Sequence, residues 1–178
     1  MMKQQTPRSE RELAAAQYRA ARSNLLLMIG LTVLNIVLLF LGSDSMMLFS
    51  ATVPYFAAGI GILSGMPTLL TVGCVIAAIF VIVYFACWMG SKKHYGWMIA
   101  AFILFCLDTV ALVLMYVSSG DFSGVLDLII HIAVLYYLFN GVKYGAKLKK
   151  LPPEPQPAEI TEENIPATDV PDTTESMD

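Results

Sequence analysis

Four long apolar runs divide the chain. They cover about residues 25–42, 69–89, 96–118 and 125–144, and at about 1.5 Å per residue a helix of that length crosses a hydrocarbon core of roughly 30 Å. Lipid offers no partner to an unpaired backbone N–H or C=O group, so the runs must be helices rather than open strands. The pattern therefore predicts an all-α, polytopic membrane protein with four transmembrane helices.

The composition agrees with that prediction. Hydrophobic residues make up 57% of the 178 residues, and the mean hydropathy of +0.66 lies well above that of soluble proteins. Cys74, Cys87 and Cys106 all fall inside apolar runs and show neither CxxC nor Cys/His metal spacing, so we expect small core residues and no cofactor. A signal peptide is not expected, because a long polar stretch precedes the first run.

Basic residues predict the orientation of the spans. All 11 Lys and Arg residues precede the first run, lie between the second and third runs, or follow at the end of the fourth. In a four-span chain these positions share one side. The loops of the other side carry Asp44 and Asp121 but no Lys or Arg. The positive-inside rule then places both termini in the cytoplasm, in a multi-pass protein of the cytoplasmic membrane.

Residues 46–65 form a further apolar segment. A fifth span there would move the basic residues between the second and third runs to the side opposite all the others, so charge parity argues against it. Pro54 and Pro67 interrupt the segment, and Gly61 and Gly65 form part of a small-residue stripe suited to close helix packing. We interpret it as a re-entrant or interfacial piece between the first two spans.

The two ends of the chain differ in character. Residues 1–24 are basic and rich in helix formers, with a capping-box spacing from Ser9 to Glu12, and predict a helical lead-in that is either solvated or in contact with lipid headgroups. Residues 145–178 hold six prolines and eight acids after the last lysine, Lys150. They predict a disordered acidic tail, open to a cytoplasmic partner.

Four polar residues interrupt the apolar runs. Asp108 lies at the centre of the third run, where a charge costs about 2.5 to 3.5 kcal/mol on insertion scales. Asn35 lies in the first run, and Asp127 and His131 lie four residues apart in the fourth, on one helical face. Counting residues inward puts Asn35 and His131 level and Asp108 about one turn deeper. We therefore expect no direct contact between Asp108 and His131 without a bridging water.

Two interpretations of this polar cluster stay open. In the structural one, Asp108 is protonated and hydrogen-bonds to a neighbouring helix, while Asp127 is a solvated acid in the first turn of its helix. In the functional one, the cluster is a proton or ligand site open to the outer face. A minimal transporter or transporter subunit would use Asn35, Asp108 and His131.

Enzyme chemistry finds no motif. A dyad of Ser64 with His131 would suggest an intramembrane serine protease, but G-x-S-x-G spacing is absent, as are P-loop, H-E-x-x-H and G-x-G-x-x-G patterns. The first-helix glutamate of small multidrug exporters has no counterpart, since Asn35 is the strongly polar residue of the first run. We expect no catalytic activity. We also expect no nucleic-acid partner.

The stretches "NLLLMIGLTVLNIVLLF", "FSATVPYF", "LDTVALVL" and "GAKLKKLP" carry a resemblance. With them, the chain resembles small bacterial four-span membrane proteins of no established function. That resemblance implies a bacterial cytoplasmic membrane and the same fold, without an activity. The sequence thus predicts a structural or interaction component whose partners are the lipid bilayer and other membrane proteins.

Overall fold

The computed structural model describes residues 9–43, 49–120 and 125–152. These residues form five helices and no strand: α1 Glu10–Phe40, α2 Thr52–Leu63, α3 Pro67–Gly90, α4 Gly96–Ser119 and α5 Val125–Lys150. Helices α1, α3, α4 and α5 are long and apolar enough to cross a membrane. The predicted all-α fold with four transmembrane helices is confirmed.

Helix α1 joins the lead-in to the first span without a break. Its start has the predicted capping box: the Glu12 backbone N–H donates to Ser9 Oγ at 3.1 Å, and the Ser9 backbone N–H donates to Glu12 Oε2 at 2.9 Å. Both interactions satisfy donors that a helix start leaves without an intrahelical partner. The helical lead-in is therefore confirmed from Glu10 onward, and residues 1–8 lie outside the described residues.

Helix α5 corrects the predicted start of the tail. Residues 145–150, assigned above to a disordered tail, continue α5, whose last turn carries Lys147, Lys149 and Lys150. Cations at the C-terminal end of a helix interact favourably with its macrodipole, so these lysines support the extension. The rest of the predicted tail, residues 153–178, lies outside the described part of the chain.

Both ends of the described chain lie at the same end of the helix bundle. Arg11 Nη1 donates to the carbonyl oxygens of Leu151 and Pro152, each at 2.8 Å, and the Tyr18 hydroxyl donates to the Ser91 carbonyl at 2.7 Å. We call this end, formed by the start of α1, the loop between α3 and α4 and the end of α5, the basic end. The lead-in thus packs against its own bundle on one side, and contact of its other side with water or lipid headgroups stays a prediction.

The core lies between the four long helices. Leu25, Met98, Phe105 and Leu138 have no exposed side-chain surface, and they come from α1, α4 and α5. Large apolar side chains cover the outer surface of the same helices, as lipid requires. Among the free cysteines, Cys87 is buried as predicted, whereas Cys74 and Cys106 are half-buried.

The segment after α1 turns back into the bundle. Phe49 adopts a φ of 72°, which is rare for a bulky residue, and Ser50, Ala51 and Thr52 that follow are at most 1% exposed. Helix α2 then runs from the interior to the end opposite the basic end, where Leu63 is 89% exposed. Its 12 residues span only about 18 Å. The segment is therefore re-entrant, and residues 46–48 lie outside the described part.

The two prolines of this segment begin helices rather than interrupting them. Pro54 lies in the first turn of α2, and Pro67 is the first residue of α3. Proline suits these positions because the first N–H groups of a helix have no intrahelical acceptor. The predicted interruption thus takes the form of helix starts, and α2 covers only Thr52–Leu63 of the apolar segment.

Helices α2 and α3 pack as a tight antiparallel hairpin. A Cβ added at Gly61 would lie 2.8 Å from Leu70 Cα, and one added at Gly73 would collide with the Ala57 carbonyl oxygen. Close packing at Gly61 is thus confirmed. Gly65 instead adopts a φ of 65° in the turn between the helices with open space around it, so its predicted packing role was wrong.

Candidate functional site

Buried polar side chains from three helices converge on residues 50–53, which we call the anchor segment. They are Thr32 and Asn35 from α1, Asp108 from α4 and His131 from α5. Each is at most 1% exposed. Three of the four predicted polar residues thus meet around the start of the re-entrant helix.

Asp108 caps the start of α2 from another helix. The backbone N–H of Thr52 donates to its Oδ2, and that of Val53 donates to its Oδ1, both at 2.8 Å. Ala51, at the N-cap position, offers no side-chain cap of its own. A carboxylate near the N-terminal end of a helix also interacts favourably with the macrodipole. The predicted hydrogen bond to a neighbouring helix is confirmed, and its partner is backbone.

The first turn of α2 has no donor left without a partner. The Ala51 backbone N–H donates to Thr32 Oγ1 at 2.8 Å, Thr52 and Val53 donate to Asp108, and Pro54 has no N–H. Such donors cost about 1 to 3 kcal/mol each when buried and unsatisfied. The polar side chains therefore match the needs of a helix that starts inside the bundle.

Asn35 holds the anchor segment from the side of α1. Its Nδ2 donates to Ser50 Oγ at 2.7 Å. Thr32, one turn earlier on the same helix, donates its own hydroxyl to the Met28 carbonyl while it accepts from Ala51. The predicted layer of Asn35, Asp108 and His131 is therefore split, with α1 binding residues 50–51 and α4 and α5 binding residues 52–53.

His131 lies directly beside Asp108. Its Nε2 is 3.0 Å from Thr52 Oγ1 and 3.4 Å from Asp108 Oδ2, and its ring stacks on Phe105 at 5.1 Å between centroids. The expected separation by a bridging water was wrong. Counting residues inward gives equal depths only for upright helices whose outer ends are level, and spanning helices tilt. The re-entrant Thr52 also brings the two side chains to one point.

The hydrogen bonds of His131 define one of its two ring nitrogens. Nδ1 lies 3.0 Å from the Asp127 carbonyl oxygen, which can only accept, so Nδ1 carries a proton. Nε2 then either accepts from the Thr52 hydroxyl, 3.0 Å away, or carries a second ring proton toward Thr52 Oγ1 and Asp108 Oδ2. The protonation of Asp108 inferred from its burial stays a prediction.

Asp127 is buried, which corrects the expectation of a solvated acid. It lies in the first turn of α5, as predicted, but is only 7% exposed. Its spacing of four residues from His131 places it on the same buried helical face. Asp127 Oδ1 lies 3.4 Å from His131 Nδ1 and accepts no hydrogen bond from the described residues.

Sequence reasoning missed four polar residues of this region, namely Thr32, Ser50, Thr52 and Tyr84. Thr32 precedes Asn35 by three residues and so shares its helical face. Ser50 and Thr52 stand just before Pro54, a pattern that marks a helix start. Tyr84 carried no such signal. Its hydroxyl is buried and has no hydrogen-bond partner among the described residues.

Two arrangements that metal or nucleophilic chemistry would use are absent from the part of the chain that the structure describes. Residues 9–43, 49–120 and 125–152 contain no group of three His, Cys, Asp or Glu side chains that could hold a metal ion. Ser64 follows the end of α2 opposite Thr52 and donates to the Gly61 carbonyl, so the Ser64 and His131 pair considered above does not form. No protein family, curated protein or solved structure matches this chain.

Proposed function

We propose that this chain is a small integral membrane protein that acts as a structural or interaction component of the cytoplasmic membrane, without catalytic activity. The observation that carries the proposal is the cap on α2. Both Asp108 oxygens accept backbone N–H groups of the re-entrant helix. A side chain so engaged supports architecture rather than turnover.

The proposed orientation places the basic end in the cytoplasm. Nine Lys and Arg residues of the described chain lie at that end, together with two glutamates, Glu10 and Glu12. The positive-inside rule then puts both termini inside the cell. Trp88 and Trp97 flank the loop between α3 and α4, at the level where amphipathic rings prefer the headgroup region.

The lipid-facing helices and the tail are the proposed interaction surfaces. Along α2 and α3, a groove of about 350 Å³ is lined almost wholly by apolar residues, among them Val53, Ile60, Val72 and Met115. Such a surface suits lipid chains or the helix of another membrane protein. The acidic residues after Lys150 are the proposed contact for a cytoplasmic partner.

A minimal transporter, or a subunit of one, is the second candidate. The observation in its favour is the buried contact of Asp108 with His131, which can share a proton, beside Asp127 Oδ1, 3.4 Å from the other ring nitrogen, and the Tyr84 hydroxyl, which has no hydrogen bond among the described residues. Intramembrane carboxylate and histidine chains serve as proton relays in pumps and transporters. In this candidate, the cap on α2 would break and reform during each cycle.

Proton flux separates the two candidates. Purified full-length protein is reconstituted into liposomes that contain a pH-sensitive dye, and a potassium diffusion potential drives protons inward. The structural proposal expects the same slow acidification with the wild type, with Asp108→Asn and with Glu10→Gln, a control carboxylate at the basic end. Flux that the wild type and Glu10→Gln share and Asp108→Asn loses would overturn the structural proposal in favour of transport.

A further inference from the structure

A cavity of about 480 Å³ opens at the basic end, between the start of α1, the loop from α3 to α4 and the end of α5. Its size falls within the roughly 300 to 1,000 Å³ typical of small-molecule sites. The lining includes four cationic side chains, Arg11, Lys92, Lys93 and Lys149. None of the polar residues around the anchor segment lines it, so this cavity is separate from the cap on α2.

The positive charges of the cavity are not neutralised within the described residues. No carboxylate there lies within 4.0 Å of these four side chains, whereas Lys147, which does not line the cavity, pairs with Glu10 at 3.5 Å. Arg11 donates to two backbone carbonyls. These carbonyls carry no formal charge, so they do not neutralise the guanidinium. Walls of one sign concentrate the field inside a cavity and attract an anion.

The walls of the cavity are firmly held by packing. The Tyr18 hydroxyl bonds to the Ser91 carbonyl, and a Cβ at Gly145 would lie 2.8 Å from both Tyr18 and Tyr95. Lys149 Nζ lies 5.7 Å from the Tyr95 ring centroid, a cation–π distance that orients its ammonium group. The basic side chains are therefore presented by a preformed frame.

The position of the cavity indicates where its ligand comes from. Lys92 Nζ lies 5.2 Å from the Trp88 ring centroid, and Trp97 stands one residue after Gly96, which lines the cavity. Tryptophan at both helix ends marks the headgroup level of a bilayer. Basic pockets between spanning helices at that level bind phosphate-bearing lipid headgroups. We propose that the cavity binds the phosphate-bearing headgroup of an anionic membrane lipid.

A matched pair of triple variants tests this site. The cavity variant carries Lys92→Gln, Lys93→Gln and Lys149→Gln. The control variant carries Arg19→Gln, Lys143→Gln and Lys150→Gln, which removes three exposed charges from the same end but none from the lining. The full-length proteins in nonionic detergent are titrated with phosphatidylglycerol or phosphatidylcholine, and retained lipid is counted by native mass spectrometry.

We expect the wild type to prefer phosphatidylglycerol. The cavity variant should lose about tenfold or more in apparent affinity, and the control variant less than about twofold. Equal losses in both triples would overturn the site in favour of diffuse attraction, and so would unchanged affinity in the cavity variant. A further variant with arginine at positions 92, 93 and 149 keeps the charge and should retain the lipid.

A competition arm distinguishes the lipid from a soluble anion. Glycerol phosphate, which has the headgroup phosphate without acyl chains, is added at millimolar concentration to the lipid complex of the wild type. The proposal expects the lipid to stay bound. Displacement by glycerol phosphate at concentrations as low as those of the lipid itself would overturn the lipid as the ligand and identify a site for a soluble phosphate ester.

Discussion

Asp108 shows how one buried carboxylate can serve a helix other than its own. It lies in the middle of α4, yet both of its oxygens bind the first turn of α2. His131 packs against it and shares Thr52 with it. The energetic reason is that α2 begins where neither water nor lipid headgroups supply acceptors for its N–H groups.

Substitution of Asp108 should therefore cost stability in a graded way. Asp108→Asn keeps one acceptor oxygen but turns its amide group toward the second N–H, and should lose about 1 to 2 kcal/mol. Asp108→Leu leaves both N–H groups unsatisfied and should lose about 2 to 4 kcal/mol. The free energies of unfolding are measured in mixed detergent micelles.

Asp127→Asn is the control for this series, because Asp127 Oδ1 accepts no hydrogen bond among the described residues. It should change stability by less than about 1 kcal/mol. Stability in Asp108→Leu equal to that of the wild type would contradict the capping role.

The burial of Asp108 was predictable from its place in an apolar run, and its partner was not. The donors lie 55 and 56 positions away in the chain, in backbone that any sequence would supply. Hydropathy carries no information about which N–H groups will start a helix inside a bundle. Their spacing of four residues did predict that Asp127 and His131 share one helical face, because both lie on the same helix.

At the scale of elements, α2 and α3 form the hairpin that holds the re-entrant segment. Hydropathy predicted the long helices because the length of each apolar run can be read from one continuous stretch of sequence. It could not distinguish a re-entrant helix from an interfacial one, since both are short and apolar. The small residues indicated close packing at Gly61. Gly73, its counterpart on α3, lies within a long apolar run that gives no separate signal of close packing.

Gly73 should tolerate no larger residue. In Gly73→Ala the added methyl group meets the Ala57 carbonyl oxygen, which is backbone and cannot rotate away, so the two helices must separate. The expected loss is about 1 to 3 kcal/mol of stability. Gly30→Ala is the matched control, because Gly30 is also helical and has open space around it. It should be neutral or stabilising by up to about 1 kcal/mol. The stabilities of the two variants are compared by thermal unfolding in detergent. A Gly73→Ala variant as stable as Gly30→Ala would contradict the tight contact.

At the scale of the whole molecule, an even number of spans places both described ends of the chain together. Arg11 binds the carbonyl of Leu151 at that end. Charge parity alone had predicted this arrangement, because an added fifth span would separate basic clusters that belong on one side. The cavity at the basic end could not be predicted, since its lining comes from three separate parts of the sequence.

Labelling of single cysteines tests the proposed orientation. Lys92→Cys, in the loop at the basic end, should react with a membrane-impermeant maleimide only after cells are opened. Ser119→Cys, at the other end of α4, should react in intact cells. The unsubstituted chain is the control for background, because Cys74, Cys87 and Cys106 lie within spanning helices. Reaction of Lys92→Cys in intact cells would show that the basic end faces outward and would contradict the proposed orientation.

The cap on α2 also imposes an order on biosynthesis. Thr52 leaves the ribosome 56 residues before Asp108 and 79 before His131. During that interval the Ala51 N–H can already meet Thr32 on α1, whereas the N–H groups of Thr52 and Val53 have no native acceptor until α4 has been made. The cap on α2 can therefore close only after α4 has been translated, although α2 is the second helix of the chain.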